Sequence, residues 1–139
     1  MPAEEGGSAP LNDEEFLAAF EEARLSPASF HHRDHIRAAW LCVRRYQRLD
    51  AIARFSSALR RFAIKAGAPT LYNETITWAY LLLIADRVRR GAAEEWEAFA
   101  AENDDLLTWR PSILDRYYRA ETLRSDAAKQ HFVWPDALD

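Results

Sequence analysis

Apolar residues recur at three- and four-residue intervals along most of the chain and nowhere alternate over the length of a strand, a pattern that predicts helices throughout. The first helix opens at Asn12, whose side chain is suited to accept from the backbone N–H of Glu15. Asp13, Glu14 and Glu15 stand at the electropositive helix end. Phe16, Leu17, Phe20 and Ala23 follow at helical spacing, and Ser26-Pro27 ends the run. A second helix spans Phe30 or His31 to Arg48, with His32, Ile36, Ala39, Trp40, Val43, Tyr46 and Gln47 in one arc at 100° per residue. Arg33, Arg37, Leu41, Arg44 and Arg48 fall on the opposite side, and His35 and Cys42 lie on a flank of the apolar arc. Asp50 is placed to cap a third helix with an inward stripe of Ile52, Phe55, Leu59, Phe62, Ala63 and Ala66. Gly67 stops it in the left-handed position and Pro69 comes just after. The second and third helices should form an antiparallel hairpin.

A fourth helix, about 72–90 with Gly91 as its stop, is apolar nearly all round as far as Ala85, the pattern of a buried central helix. Ala92 to Glu102 reads as a fifth helix with Trp96 and Phe99 inward, Leu106 to Trp109 as a short turn, and Pro111 as the start of a further helix. Thr122 or Ser125 opens a last short helix to about Phe132, and an extended end packs through Trp134. The expectation is an all-α, single-domain bundle of about five to seven helices over residues 12–139. Residues 1–11, with Gly6-Gly7-Ser8 and two prolines, form a disordered tail.

Composition sharpens this in a few places. With 139 residues, 49% hydrophobic and five Trp, one core is large enough to need no staple. The lone Cys42 excludes an internal disulfide and a multi-cysteine metal site. The first ten residues are acidic and lack an apolar leader, and the longest apolar run, Ile76 to Ala85, is about half of what spans a bilayer. A cytoplasmic protein with no membrane partner is expected. Residues 1–32 carry seven acids against one base, and residues 33–65 carry nine bases against two acids. The acidic first helix should therefore lie near the basic ones. Nucleic acid is not an expected partner, because aromatics are not interleaved with the exposed basic positions. Leu41 and Leu83, on the less buried sides of their helices, suggest a homodimer surface.

The candidate chemistry lies in two stretches. His32 and His35, one turn apart, lean toward the core of the second helix, and Glu74 lies on the inward line of the fourth with Trp78, Leu81 and Ala85. Imidazole and carboxylate on facing helices are the ligands of zinc, iron or manganese, and three ligands with open positions make a catalytic arrangement. His32, His35 and Glu74 are the metal-ligand candidates. The same residues without metal suit proton transfer near neutral pH, with Tyr72 as an orienting donor and Asn73 as a further amide. The expected function is a small-molecule enzyme of unstated reaction, taking a small-molecule ligand and possessing either a divalent metal or an acid/base group. The alternative is a non-catalytic interaction module in which the His/Glu cluster is an internal polar tie and the basic face of the second and third helices meets a partner. Cys42 reads as a buried inert thiol and His131 as a surface or packing residue.

The segments Phe30-x-His32-x-x-His35-Ile36-Arg37-x-Ala39-Trp40 and Tyr72-x-Glu74-Thr75-Ile76-Thr77, with Gly67-x-Pro69 between them, resemble a family of small, uncharacterised bacterial all-helical proteins. The resemblance extends through Tyr117-Tyr118 to Pro135-Asp136. It implies a shared site at these positions and no particular activity. It also implies His where this chain has Asn73, and so one ligand or base fewer.

Overall fold

A computed structural model describes residues 11–137, so most of the expected tail (residues 1–10) and residues 138–139 lie outside the described residues. Within that range the protein is all-helical: α1 Asp13–Glu21, α2 His32–Arg45, α3 Arg48–Lys65, α4 Glu74–Arg89, α5 Trp96–Glu102, α6 Asp104–Leu107, α7 Ala120–Leu123 and α8 Asp126–Gln130. Single 3-10 turns at Pro27–Ser29, Pro69–Leu71 and Ile113–Arg116 join them.

The chain's own capping chemistry sets the ends of the helices. Asn12 Oδ1 accepts from Glu15 N at 2.8 Å while Glu15 Oε1 accepts from Asn12 N at 3.1 Å, a reciprocal box that satisfies two orphan donors. Gly67 and Gly91 take positive φ, +77° and +90°. Beyond each, a backbone N–H reaches back to the last turn, Ala68 to Ala63 at 2.9 Å and Ala92 to Arg87 at 3.2 Å, closing the two longest helices as expected. Asn73 caps α4: its Oδ1 accepts from Ile76 N at 2.9 Å, and its Nδ2 donates to Leu123 O at 2.8 Å.

Several boundaries differ from the sequence expectation. The second helix ends at Arg45 rather than Arg48, because Tyr46 and Gln47 are extended. The third begins at Arg48 with Gln47 as its cap, and Asp50 instead pairs with Arg54 at 3.0 Å. The break lets the Tyr46 hydroxyl turn back and donate to Glu21 at 2.6 Å. The fifth helix starts four residues late at Trp96. The Pro111 segment makes a turn and a 3-10 turn, and the last helix is split in two, α8 being capped by Ser125. Trp134 does not pack inward; it is 81% exposed and meets only the edge of Phe132, whose ring stacks on Trp78.

The central position of the fourth helix is borne out. α4 packs against α2, α3, α8 and the 113–116 turn, and buries Tyr80, Leu81, Ile84 and Ala85. α1 lies across α2 and α3 and takes up their positive charge. Arg37 reaches Asp13 at 2.8 Å, Arg54 lies 3.9 Å from Glu21, and Arg61 and Lys65 donate to the backbone oxygens of Glu21 and Ala23. Cations there complement the negative C-terminal end of a helix. The basic face read from the sequence is thus used largely within the fold. Leu41 is buried, 8% exposed, rather than on the exposed side expected of it, and Leu83 is half-buried against the core. Among the described residues no helix is long and apolar enough to cross a membrane.

Asn73→Ala should lower stability by about 2 kcal/mol, since it removes a helix cap and a tie to Leu123 together. Asn73→Asp, which keeps only the cap, should lose about half of that in urea denaturation.

Candidate functional site

A cavity of about 490 Å³ opens where α2, α3 and the start of α4 diverge. Its α2 wall is His32, His35, Ile36 and Ala39. The α3 wall is Phe55, Leu59, Phe62, Ala63 and Ala66. Tyr72, Asn73, Ile76, Thr77 and Tyr80 close it from the α4 side, and Leu71 and Trp109 form an exposed apolar rim, 76% and 45% accessible. Helical periodicity brings His32, His35, Ile36 and Ala39 to one face. The small side chains of Ala39 on α2 and of Ala63 and Ala66 on the α3 side leave this space, which larger residues there would fill.

His32 is oriented from a distant part of the chain. Its Nε2 lies 2.9 Å from the carbonyl oxygen of Leu106 in α6. A carbonyl only accepts, so the proton is on Nε2 and Nδ1 is left as an acceptor. Its ring packs between Trp109, with centroids 4.9 Å apart, and the edge of Tyr80 at 5.2 Å. Burial lowers its pKa, partly opposed by the bond to Leu106. His35 stacks on Phe30 at 4.3 Å and makes no hydrogen bond among the described residues. Burial, aided by the nearby His32, lowers its pKa to about 4. Both rings are therefore neutral at neutral pH.

Glu74 does not join them. Its carboxylate accepts from the Tyr72 hydroxyl at 2.5 Å and lies 3.5 Å from Arg60, whose guanidinium covers the Tyr72 ring at 4.3 Å. It is absent from the cavity wall. As the first residue of α4, it points along the Tyr72 and Arg60 side rather than between the helices. Among the described residues no three His, Cys, Asp or Glu side chains are grouped to hold a metal ion. The ligand set His32, His35 and Glu74 expected from the sequence is thus not assembled: two of its members share the cavity and the third faces away. Tyr72, by contrast, is both a lining residue and the partner of Glu74, and burial followed by that bond raises its pKa.

Asn73, expected from the sequence as a further amide, and Thr77 belong to the site, as do Tyr80 and Trp109, which were not assigned to it. Thr77 lies four residues after Asn73, the cap of α4, and Tyr80 three after Thr77, a spacing that puts all three near one face and that was legible. Trp109, expected only as the end of a short turn, rims the cavity because α6 and the following turn fold back over His32. No signal in its own neighbourhood marks that. Where the resemblance implies His, Asn73 acts as helix cap and cavity wall at once. Cys42 is fully buried, with its pKa pushed up to about 12 by burial above all, and is an inert thiol as expected. His131 is exposed. Compared with known proteins, the chain matches no family model, no curated protein and no solved structure.

The depressed pKa of His35 carries a stability signature. Folded His35 resists protonation down to about pH 4, whereas the unfolded chain binds that proton near 6.5, so stability falls as pH drops through this window. The loss should be on the order of 3 kcal/mol at the acid end. In His35→Gln, urea unfolding at pH 7 and at the acid limit should show a pH dependence smaller by about that amount. Equal slopes for parent and variant would place the imidazole in water.

Proposed function

We propose that this protein binds a small, mostly apolar organic molecule in the cavity between α2, α3 and α4. The observation that carries the reading is the cavity itself. Its volume of about 490 Å³ falls within the range typical of ligand sites. Its walls are chiefly aliphatic and aromatic, with a few convergent polar groups at the His35, Tyr72 and Asn73 side. Apolar contact supplies affinity in such a site, and the polar groups fix orientation. Leu71 and Trp109 at the rim give an apolar molecule a path in.

A second reading, proton-transfer catalysis, is favoured by one particular contact. Tyr72 lines the cavity and its hydroxyl donates to Glu74, which in turn lies beside the half-exposed Arg60. A phenol bonded to a partly exposed carboxylate provides a route for a proton between cavity and solvent, with His35 as the group facing the bound molecule. The low pKa of His35 makes it a weak base, so binding is the primary conclusion and catalysis the addition.

Filling the cavity separates the site from the rest of the fold. Ala63→Leu should weaken binding of a neutral apolar dye such as N-phenyl-1-naphthylamine by about tenfold or more, followed by its fluorescence, while circular dichroism stays unchanged. Undiminished dye binding in the variant would move the site elsewhere.

A further inference from the structure

Resting on the binding reading above, we infer that the cavity selects an uncharged molecule that donates a hydrogen bond, an alcohol or phenol on an apolar body, with His35 receiving the donated proton. Most polar groups of the walls are already bonded within the fold. The hydroxyl proton of Tyr72 is spent on Glu74, that of Thr77 on the backbone oxygen of Asn73 at 2.7 Å, and the Nε2 proton of His32 on Leu106. Asn73 has Oδ1 on Ile76 and one amide proton on Leu123. Lone pairs therefore remain on the Tyr72 and Thr77 oxygens, on Nδ1 of His32 and on one nitrogen of His35. The unspent protons are the second amide proton of Asn73, the N–H of His35 and the indole N–H of Trp109. The wall thus offers acceptors as well as donors, so a ligand bearing only acceptors leaves buried lone pairs unmet, whereas a hydroxyl both donates to this wall and accepts in return.

Charge narrows the class further. The cavity wall contains no Asp, Glu, Lys or Arg, and Glu74 and Arg60, beside Tyr72, are paired with each other. A carboxylate or an ammonium entering the cavity would lose its hydration without gaining a counter-charge. A hydroxyl of ordinary pKa stays neutral and avoids that cost. His35 is the orienting group because, of the lining side chains that make no hydrogen bond among the described residues, it alone can accept one; the Trp109 indole only donates.

The test uses the full chain and three probes with one apolar body: 2-naphthol, 2-methoxynaphthalene and 2-naphthoate, titrated by calorimetry at neutral pH. Naphthol should bind about tenfold more tightly than its methyl ether, and naphthoate most weakly. His35→Leu should bring naphthol and the ether to similar affinity, and His35→Gln, which restores an acceptor, should return part of the preference. Equal affinity of the parent for naphthol and ether, or a preference for naphthoate, would overturn the inference and leave the cavity as a binding site. If none of the three bound, the binding reading itself would fall with it.

Discussion

The carboxylate of Glu74 has two partners, the Tyr72 hydroxyl and the Arg60 guanidinium, and neither is an imidazole. It stands at the first position of α4, where the unpaired backbone N–H groups favour negative charge. From there it meets the Tyr72 hydroxyl and the Arg60 guanidinium rather than the imidazoles. An unpaired carboxylate between His32 and His35 would cost several kcal/mol, and the paired position avoids that. Everything about the site follows from this placement: the cavity keeps its histidines but loses their counter-charge. Burial can then lower both pKa values unopposed by an acid, and the walls are left with neutral donors and acceptors.

Rigid supports on three sides preserve the space. α1 binds α2 and α3 together through Arg37, Arg54, Arg61 and Lys65. Asn73 joins the start of α4 to Leu123, and Thr75 donates to the His131 backbone oxygen at 2.7 Å. Arg87 holds Asp105 through two parallel contacts of 3.1 and 2.9 Å, with Asn103 at 2.7 Å. That fork fixes the turn whose next residue, Leu106, orients His32. A contact at the far end of α4 thus sets the tautomer of a ring in the cavity, through a chain of side chains that are all half-buried or better.

Much of the fold was legible in the sequence because it depends on local chemistry. Asn12, Gly67 and Gly91 mark helix ends that the structure keeps, and the apolar circumference of Ile76 to Ala85 announces the central helix. The Tyr46-Gln47 break was not legible, since the contact that accompanies it is a hydrogen bond to Glu21 in another helix. Leu41 was misplaced for the same reason: angular position on one helix does not show what the remainder of the bundle lays over it. For the site, periodicity placed His32 and His35 correctly at the cavity wall. It could not place Glu74, because a first-turn residue has no complete helical turn before it, and its direction is set by partners on other elements, here Arg60.

The central claim, a cavity whose imidazoles are buried without an acid partner, is tested most directly by nitrogen NMR of the histidine rings from about pH 4 to about pH 8. The account predicts that His32 is the Nε2–H tautomer, that His35 is neutral throughout the physiological range, and that His35 protonates only near pH 4. A His35 titrating at or above about 6.5 would mean a carboxylate beside it or free access to water, and would contradict the account.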